Sequence, residues 1–489
     1  KRQELYGYKG DTLASALLSN DIHLVGRSFK YHRPRGIMTS GSEEPNAILQ
    51  IGNDDALTDP NVRATEIELY DGLICNSQNC WPSVKFDIGG INNFLSPLLP
   101  AGFYYKTFMW PASFWEKYEY FIRKSAGLGK SPTKQDPDMY DHRYMHCDIL
   151  IVGGGVSGLI AAKIASDDNK KVLLLEDKEL LGGSLIYDDN DISKIDNQKS
   201  SEWLKKLIEN IKNDKNIIIK TRTSLAAYHN YNFLLARQNL TDHLSVNDRN
   251  NKIRQRLYKI RAKKVIISTG AIERPQVFHN NDRPGIMLAS AVKKYIDYYG
   301  VRCGLENVIF TNNDSAYETA LSLHKSGTKL NAIIDIRDNS SSEIVNKVKS
   351  LGIQIYWNHT IVNTKGYKRI NKVTVMKLND KGNDVIGKKI DLNCDCLAIS
   401  GGWTPMVHLF TQSGGKLRFD NKDNIFVPDK TNLNQLSIGS AKGDLELDDV
   451  LKNSIKDTKK FLQIENSNFD KIDVKCSKEK EKKNIWLLP

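Results

Sequence analysis

The chain has 489 residues, a length that predicts two to four domains. Its formal net charge of +12 comes from diffuse lysine, and no basic face interleaved with stacking aromatics is present, which argues against a nucleic-acid partner. The sequence has no run of about 18 apolar residues that could cross a membrane, and its seven scattered cysteines favour a reducing, cytoplasmic compartment over a disulfide framework.

Residues 1–95 predict a small module of short strands around one helix. The stretch "TLASALLSN" has apolar residues at helical spacing, whereas "NAILQIG" and "RATEIELYDG" alternate as strands do. The stretch "GRSFKYHRPRGIMTSG" stands where a plant-type ferredoxin domain has its cluster loop, yet it contains no cysteine. Cys75 and Cys80 have the C-x4-C spacing of such clusters, but no third and fourth cysteine lies nearby. We therefore predict a ferredoxin-like β-grasp module without an iron–sulfur cluster, and no metal site.

Three basic residues occupy the cysteine-free loop: His32, Arg33 and Arg35. Guanidinium groups bind phosphate and carboxylate through paired hydrogen bonds, so one hypothesis is that the loop docks an anionic surface, such as a flavin phosphate or a partner subunit. The alternative is that these side chains form salt bridges within the chain. The sequence leaves both interpretations open.

Residues 96–145 predict a connecting segment. It is dense in aromatic residues from Phe103 to Phe121 and ends in the polar, proline-containing linker "GKSPTKQDPDMYDHR". The aromatic density favours packing against another domain or another chain. A helix buried in the core of this chain is the other interpretation.

The next stretch, "CDILIVGGGVSGLIAAKIASDDNKKVLLLEDKELLGGSL", predicts a strand, a glycine-rich turn, a helix and a second strand that ends in an acid. Gly153, Gly155 and Gly158 form G-x-G-x-x-G in the context that makes this motif meaningful. We expect Gly153 to permit the tight turn, Gly155 to let a diphosphate approach the backbone, and Gly158 to let the helix pack closely on the strand. Glu176 is expected to accept the ribose hydroxyls and to repel a 2′-phosphate, which disfavours NADP.

Three further stretches are typical of flavoproteins with two dinucleotide-binding domains: the "GGS" at 182–184, "KVIISTGAIERP" and "QLSIGSAKGD". We therefore predict an α/β chain with a two-dinucleotide-binding-domain, FAD/NAD(P)-binding Rossmann core. The first dinucleotide-binding domain is expected at 146–285 and again at 401–465, and a second Rossmann-like domain is expected at 286–400. Residues 466–489 predict a basic, solvated tail.

The second Rossmann-like unit has a turn without glycine, "TNNDSA". The side chains of Asn312, Asn313 and Asp314 would crowd a phosphate, and Asp314 would also repel it. We expect this second nucleotide site to be degenerate, so that the chain has a single nucleotide site.

Four long stretches carry a family resemblance: "GRSFKYHRPRGIMTSGSEEPNA", "STGAIERPQVFHNNDRPGIMLASAV", "IFTNNDSAYETA" and "SGGWTPMVHLFTQSGGKLRFD". Together they resemble the alpha subunits of heterotetrameric sarcosine oxidases over essentially the whole chain, although the C-terminal folate domain of that family is absent from this sequence. The resemblance implies that NAD binds tightly at the glycine-rich turn, that the amine-oxidising FAD belongs to a partner beta subunit, and that FMN lies near the interface. FAD in place of NAD in this chain is the alternative.

The resemblance also implies an oxidoreductase acting on CH–NH groups as part of a complex with a beta subunit and further small subunits. The implied reaction is the oxidative demethylation of sarcosine to glycine, with the small amine substrate bound in the partner. Two alternatives are the alpha subunit of an opine, proline or hydroxyproline dehydrogenase complex and a non-catalytic assembly subunit with a structural nucleotide. No catalytic residue can be named in this chain. The implied nucleotide-binding residues are Gly153, Gly155, Val156, Ser157, Gly158, Glu176, Gly183, Ser184, Thr269 and Gly270.

Overall fold

The computed structural model describes residues 3–99, 102, 110–188, 192–465, 467, 469, 472–480 and 482–489. None of the helices in these ranges combines the length and the apolar character that crossing a bilayer requires. The first part of the predicted aromatic section, residues 103–109, lies outside the described residues.

The N-terminal module packs one helix against short antiparallel strands. The helix begins after Thr12, whose side-chain oxygen accepts a hydrogen bond from the backbone N–H of Ser15, as expected for an N-cap residue. The predicted helix and the predicted strand in "NAILQIG" are both confirmed. The elements are α1 (Leu13–Ser19), β1 (Gly26–Arg27), β2 (Pro34–Arg35), β3 (Ile48–Ile51), β4 (Asp59–Arg63), β5 (Cys75–Ser77) and α2 (Ile91–Phe94).

The strand predicted in "RATEIELYDG" is wrong, because β4 ends at Arg63, where that stretch begins. The carbonyl groups of Ile67 and Ala64 instead accept the backbone N–H groups of Leu13 and Ala14, at 2.8 and 3.0 Å. The first N–H groups of a helix have no partner within the helix. This segment therefore satisfies the start of α1 and does not extend the sheet.

The connecting segment contains one helix, α3 (Trp115–Ala126), and none of its residues is buried. Tyr120 and Phe121 are exposed to 50% and 67%. The interpretation of this segment as a helix in the core of the chain is therefore wrong for α3. The helix ends at Gly127, which has the left-handed conformation typical of a helix C-terminus.

The first nucleotide-type domain begins with a long strand and continues as alternating strands and helices. Its elements are β6 (Met139–Val152), α4 (Val156–Asp167), β7 (Val172–Leu175), β8 (Lys194–Ile195), β9 (Gln198–Lys199), α5 (Ser200–Lys212), β10 (Ile217–Lys220), β11 (Thr223–His229), β12 (Phe233–Asn239), α6 (Val246–Arg249), β13 (Ile253–Ile267) and β14 (Ala271–Glu273).

The second domain follows directly, and the chain then returns to the first. The second domain contains β15 (Ile286–Leu288), α7 (Ala289–Asp297), β16 (Glu306–Thr311), α8 (Ser315–Lys325), β17 (Lys329–Asp335), α9 (Glu343–Ser350), β18 (Ile355–Trp357), β19 (His359–Gly366), β20 (Ile370–Leu378), β21 (Val385–Asn393) and β22 (Cys396–Ser400). The returning part contains β23 (Trp403–Pro405), α10 (His408–Gln412), β24 (Lys416–Asp420), β25 (Ile425–Lys430), β26 (Gln435–Ser437), α11 (Leu447–Leu462) and β27 (Val474–Lys475).

Two parallel sheets organise these domains. The first has the order β10-β7-β6-β13-β12-β11, with β26 also paired to β13, and the second has the order β15-β22-β16-β17-β18. In the first sheet β12 and β11 are antiparallel additions, whereas all pairs of the second sheet are parallel. A single apolar core joins the second domain to the N-terminal module, because Leu13 and Leu17 of α1 belong to the same buried cluster as Ile309 and Phe310 of β16.

Strand β6 begins at Met139, inside the stretch for which the sequence predicts a linker. It pairs in parallel with β13 from Met139 to Val152. Charged groups hold the early part of this ribbon, because Arg256 on β13 binds Asp141 through its Nε at 2.6 Å. The prediction of a linker is therefore wrong for residues 139–143, whose polar side chains belong to a strand.

The prediction that residues 466–489 form a solvated tail is wrong for the described part of that segment. Strand β27 pairs with β8 of the first domain. Farther on, Leu488 is buried in the core shared by the second domain and the module, and Ile485 packs against it. Apolar residues at the end of the basic stretch therefore fix it to the protein surface.

Candidate nucleotide-binding site

The glycine-rich turn lies between β6 and α4. Gly153 has φ of +106°, and a Cβ atom at this position would stand 2.3 Å from the carbonyl oxygen of Ser268. An L side chain would therefore meet both strain and a backbone clash, so the turn requires glycine here. The expectation that Gly153 allows a tight turn is confirmed.

Gly155 precedes the first residue of α4 and is its N-cap. A Cβ atom added to Gly155 would meet nothing within 4 Å. The glycine therefore leaves an open space directly in front of a helix N-terminus, where backbone N–H groups and the helix dipole favour an anion. The first turn of α4 contains no acidic residue that would oppose an anion.

Gly158 has a different role, because it lies on the inner side of the helix. A Cβ atom at Gly158 would stand 1.9 Å from the carbonyl oxygen of Gly153 and 2.6 Å from Oγ of Ser268. The hydroxyl of Ser268 donates to the carbonyl oxygen of Gly153 at 2.8 Å. The absence of a side chain at Gly158 thus permits the close contact of helix and turn that the motif predicts.

Glu176 follows the last residue of β7 and is buried beside the turn. Its Oε2 accepts the backbone N–H of Gly154 at 2.6 Å, and its Oε1 accepts that of Lys178 at 3.0 Å. Burial, together with the neighbouring carboxyl of Asp177, raises the pKa of Glu176 to about 8. The carboxyl that the sequence assigns to a ribose therefore also holds the glycine-rich turn in place, a contact that the motif alone did not indicate.

The "GGS" stretch packs directly against the turn. Gly182 donates its backbone N–H to the carbonyl oxygen of Gly154 at 2.8 Å. A Cβ atom at Gly183 would stand 3.2 Å from Cα of Gly155. This close approach brings Gly183 and Ser184 to the side of the cavity in front of α4.

Thr269 and Gly270 are held in position by the returning part of the chain. The hydroxyl of Thr269 donates to the carbonyl oxygen of Met406 at 3.1 Å, and the backbone N–H of Met406 donates to the carbonyl oxygen of Gly270 at 3.0 Å. Gly270 has φ of +78°, a conformation that favours glycine. Both residues line the same cavity as Gly155.

This cavity has a volume of about 1900 Å³. Small-molecule sites in proteins commonly have volumes of about 300–1,000 Å³, so the space is ample for a dinucleotide. Of the ten residues that the sequence proposes for the nucleotide, Gly158 supports the turn from beneath, and the other nine line the cavity: Gly153, Gly155, Val156, Ser157, Glu176, Gly183, Ser184, Thr269 and Gly270.

Two titratable residues that the sequence does not single out, Glu273 and Lys294, also line the cavity. Oε2 of Glu273 accepts the backbone N–H of Ser290 at 2.8 Å, in the first turn of α7. Burial raises the pKa of Glu273 to about 7. Burial and the nearby ammonium group of Lys178 lower the pKa of Lys294, which is also on α7, to about 8. Glu273 lies within "GAIERP", but nothing in that stretch indicates a contact with α7.

The cysteine-free loop of the N-terminal module forms contacts within the chain. Arg33 binds the carboxylate of Asp282 with two hydrogen bonds of 2.6 and 2.7 Å, and Arg35 binds the same carboxylate. Nδ1 of His32 lies 2.6 Å from Oδ2 of Asp87. These contacts confirm the salt-bridge interpretation of the loop, and the described residues contain no group of three or more His, Cys, Asp or Glu that could hold a metal ion.

Residues 147–445 match the family model for pyridine nucleotide-disulphide oxidoreductases, and residues 3–80 match a model for a 2Fe-2S iron-sulfur cluster binding domain. The fold is similar to that of the solved structure of L-proline dehydrogenase from P. horikoshii, with a TM-score of 0.57 and 19% sequence identity. The match covers 90% of this chain and 67% of that chain. The α/β dinucleotide-binding fold with a ferredoxin-type N-terminal domain is thereby confirmed.

Three curated relatives that share one name are similar to this chain in sequence. The sarcosine oxidase subunit alpha of Rhizobium meliloti (strain 1021) is 41% identical over 413 residues, which cover 84% of this chain and 40% of that protein. The sarcosine oxidase subunit alpha of Corynebacterium sp. (strain U-96) is 31% identical over 495 residues, which cover 100% of this chain and 46% of that protein. The chain therefore spans less than half the length of these relatives.

Proposed function

The chain belongs to the pyridine nucleotide-disulphide oxidoreductase family, and from its curated relatives we infer that it is the nucleotide-binding portion of an alpha subunit of a sarcosine oxidase. The resemblance to such subunits that the sequence indicates is confirmed by three curated relatives of that name. In the proposed complex the chain binds NAD, and a flavin in a partner beta subunit carries out the oxidative demethylation of sarcosine to glycine.

The observation that carries this proposal is the open space at Gly155 in front of α4. The residues present fit a dinucleotide, because the turn offers backbone N–H groups to a diphosphate and the first turn of the helix contains no acid. In the proposed complex Gly153, Gly155 and Val156 hold the diphosphate, and Glu176 receives the adenosine ribose. When bound, NAD can accept or donate a hydride; the chain itself binds and orients it.

The alternative nucleotide, FAD, shares the ADP half that this turn would bind. The volume of about 1900 Å³ admits either dinucleotide. The buried carboxyl of Glu176 supports a nucleotide without a 2′-phosphate, because an acid at this place accepts hydrogen bonds from the ribose hydroxyls, whereas an arginine accommodates the 2′-phosphate of NADP.

We also propose that the N-terminal module has no iron–sulfur cluster. The loop that would supply cysteines contains Arg33 and Arg35, and both are bound to Asp282. Burial raises the pKa of the Cys75 and Cys80 thiols, which disfavours the thiolate form that iron requires. All seven cysteines are free thiols, in agreement with the proposed cytoplasmic location.

A large set of exposed apolar side chains supports the proposal of a partner subunit. They lie within residues 81–99 and 110–121, and Leu99 and Asn92 of this part of the chain contact the cysteine-free loop at Tyr31 and Lys30. Large exposed apolar patches mark protein interfaces. The relatives are themselves named as subunits, so we propose that the beta subunit covers this surface, which we call the aromatic face. Its most exposed members are Trp81, Phe86, Ile91, Phe94, Leu98, Trp110 and Phe121.

Mass analysis of the ligand released from the purified chain tests the nucleotide assignment. We expect NAD, no flavin absorbance and no stoichiometric iron. Released FAD would replace NAD with the alternative dinucleotide, and one iron–sulfur cluster per chain would contradict the proposal for the module.

Turnover assays test the division of labour. We expect oxidation of sarcosine by the complex with the beta subunit and none by the chain alone. Turnover by the isolated chain would contradict the proposal, and turnover of the complex with proline in place of sarcosine would favour a dehydrogenase of the opine or proline class.

A further inference from the structure

Residues 472–480 and 482–489, which we call the strap, contact both nucleotide-type domains, and several of them line the cavity: Cys476, Ser477, Glu479, Lys482 and Asn484. It leaves the first domain through β27, which pairs with β8. Nζ of Lys478 lies 3.1 Å from Oδ2 of Asp448, and the backbone N–H of Glu479 donates to Oε1 of Glu446 at 3.3 Å. Asp448 and Glu446 are at the start of α11, so the strap begins on the first domain.

The next contact of the strap is with the glycine-free turn of the second domain. Oε1 of Glu479 accepts the backbone N–H of Asp314 at 2.8 Å. Asp314 is the N-cap of α8, which follows β16 as α4 follows β6. The carboxylate of Glu479 therefore occupies the helix N-terminus that, in the first unit, is open at Gly155.

Basic groups complete the surroundings of this carboxylate. Nζ of Lys482 lies 3.2 Å from Oε2 of Glu479, and a guanidinium nitrogen of Arg337 lies 3.8 Å from its Oε1. The side chain of Glu479 is only 11% exposed. A carboxyl group therefore stands at the start of the helix, shielded from water, where a diphosphate would bind. The two basic side chains beside it are shared with other acids, because Arg337 also binds Asp314 and Lys482 also binds Asp423.

The ribose position of the second unit is also filled from within the protein. Asp335 ends β17, the place that Glu176 takes after β7 in the first unit. Its buried carboxylate accepts hydrogen bonds from Arg337 at 2.7 Å and from the hydroxyl of Tyr317 at 2.9 Å. The acid that would receive a ribose is thus paired with an arginine of its own strand end.

Beyond Glu479 the strap contacts the glycine-free turn of the second domain and the segment that connects β14 to β15. The side-chain amide of Asn312 donates to the carbonyl oxygen of Lys483 at 3.1 Å. Val277 exchanges backbone hydrogen bonds with the strap: its N–H donates to Trp486 at 2.7 Å and its carbonyl oxygen accepts from Leu488 at 3.1 Å. Hydrogen bonds along its length therefore hold the strap, and not the contact of Glu479 alone.

We propose that the strap is a built-in occupant of the second nucleotide cleft, with the carboxylate of Glu479 in the place of a diphosphate. The strap keeps a second dinucleotide out of the cleft and holds the two domains together. This inference goes beyond the proposed function and does not depend on which nucleotide binds at Gly155.

Hydrogen exchange measured by mass spectrometry on the full chain tests this proposal. The variants are Glu479→Ala, Glu479→Gln and, as a matched control, Glu465→Ala at an exposed acid. In Glu479→Ala we expect exchange to be about tenfold faster in the strap and at the start of α8, since a charge-assisted bond at a helix terminus is lost. Glu479→Gln should give a smaller increase, and Glu465→Ala none.

The same measurement with ADP as the probe separates this proposal from the proposed function. We expect ADP to slow exchange in the Gly153–Gly158 turn and to leave exchange in the strap unchanged. Faster strap exchange on addition of ADP would show that the strap yields to a nucleotide and would overturn the proposal, as would equal strap exchange in Glu479→Ala and the unsubstituted chain. Absence of ADP protection at the glycine-rich turn would instead count against the proposed function alone.

Discussion

A Cβ atom placed on Gly158 would stand 1.9 Å from the carbonyl oxygen of Gly153, so the helix and the turn of the first nucleotide unit touch backbone to backbone. Gly155, three residues earlier, faces open space. Gly158 therefore meets a packing requirement of the fold, whereas the space at Gly155 is the one that we propose for the ligand.

The first prediction uses this difference. Gly155→Ala should fold normally, because Gly155 has φ of −69° and space for a methyl group, but it should weaken ADP binding more than about tenfold by obstructing the diphosphate. Gly158→Ala should lower Tm by about 5 °C or more through overpacking. Calorimetry and ADP titration of both variants check this, and normal ADP affinity in Gly155→Ala would remove the turn from the binding site.

The second prediction concerns the carboxyl of Glu176, which accepts the N–H groups of Gly154 and Lys178. In Glu176→Gln the amide has one acceptor oxygen where the carboxyl has two, so one of these bonds is lost. Because this bond holds the turn that we propose for the diphosphate, we expect its loss to weaken NAD binding by about 1 kcal/mol, or about fivefold. Isothermal titration with NAD measures the change, with Asp168→Asn as an exposed control that should bind like the original chain.

The third prediction concerns Asp282, which binds both Arg33 and Arg35. Asp282→Asn keeps the shape of the side chain but leaves two half-buried guanidinium groups without their shared anion. We expect a loss of about 1–3 kcal/mol in stability and earlier proteolysis between the module and the core. The control Glu66→Gln removes a more exposed pair with Arg63 and should leave both readouts unchanged.

The fourth prediction concerns pH and the buried carboxyl of Glu273, whose pKa burial raises to about 7. The folded state holds this proton more tightly than the unfolded chain, where the pKa of a glutamate is about 4.3. The stability due to the neutral carboxyl is therefore present below about pH 4.3 and is lost as pH rises toward 7. Glu273→Gln should show a smaller fall in Tm between pH 5 and pH 8 than the original chain, and equal pH dependence of the two proteins would contradict the shift.

The fifth prediction tests the aromatic face. Phe94 and Phe121 are exposed to 83% and 67%, so Phe94→Asp and Phe121→Asp should fold with an unchanged Tm. We expect both to reduce co-purification with the beta subunit at least about tenfold, because each places a charge in an apolar interface. Phe419→Asp, at an exposed site outside the aromatic face, should leave complex formation intact.

The local features of the first nucleotide unit could be predicted from sequence, because the spacing of Gly153, Gly155 and Gly158 fixes the turn through contacts between near neighbours. The fold class could be predicted as well, because the alternation of strands and helices is also visible in local sequence patterns. The contact of Glu176 with Gly154 also lies within this unit, but it depends on how the second strand docks beside the turn.

Long-range contacts could not be predicted in the same way. Glu479 and Asp314 are far apart in the chain, and nothing local to "KIDVKCSKEKEKK" distinguishes a seated acid from a solvated one. The early part of β6 could not be predicted as a strand because it lacks an apolar pattern. Its side chains contact β13 through charged pairs such as Arg256 and Asp141. The stretch after Arg63 alternates like a strand, but the N–H groups of α1 take its carbonyl oxygens.

Strand β6 has 14 residues and runs unbroken from Met139 to the turn at Gly153, a span of about 46 Å. At its far end Arg254 of the paired strand joins Asp138 to Asp59 of the N-terminal module. The contact with the module and the glycine-rich turn are therefore joined by one continuous strand. The length of a single strand thus sets the distance between the two.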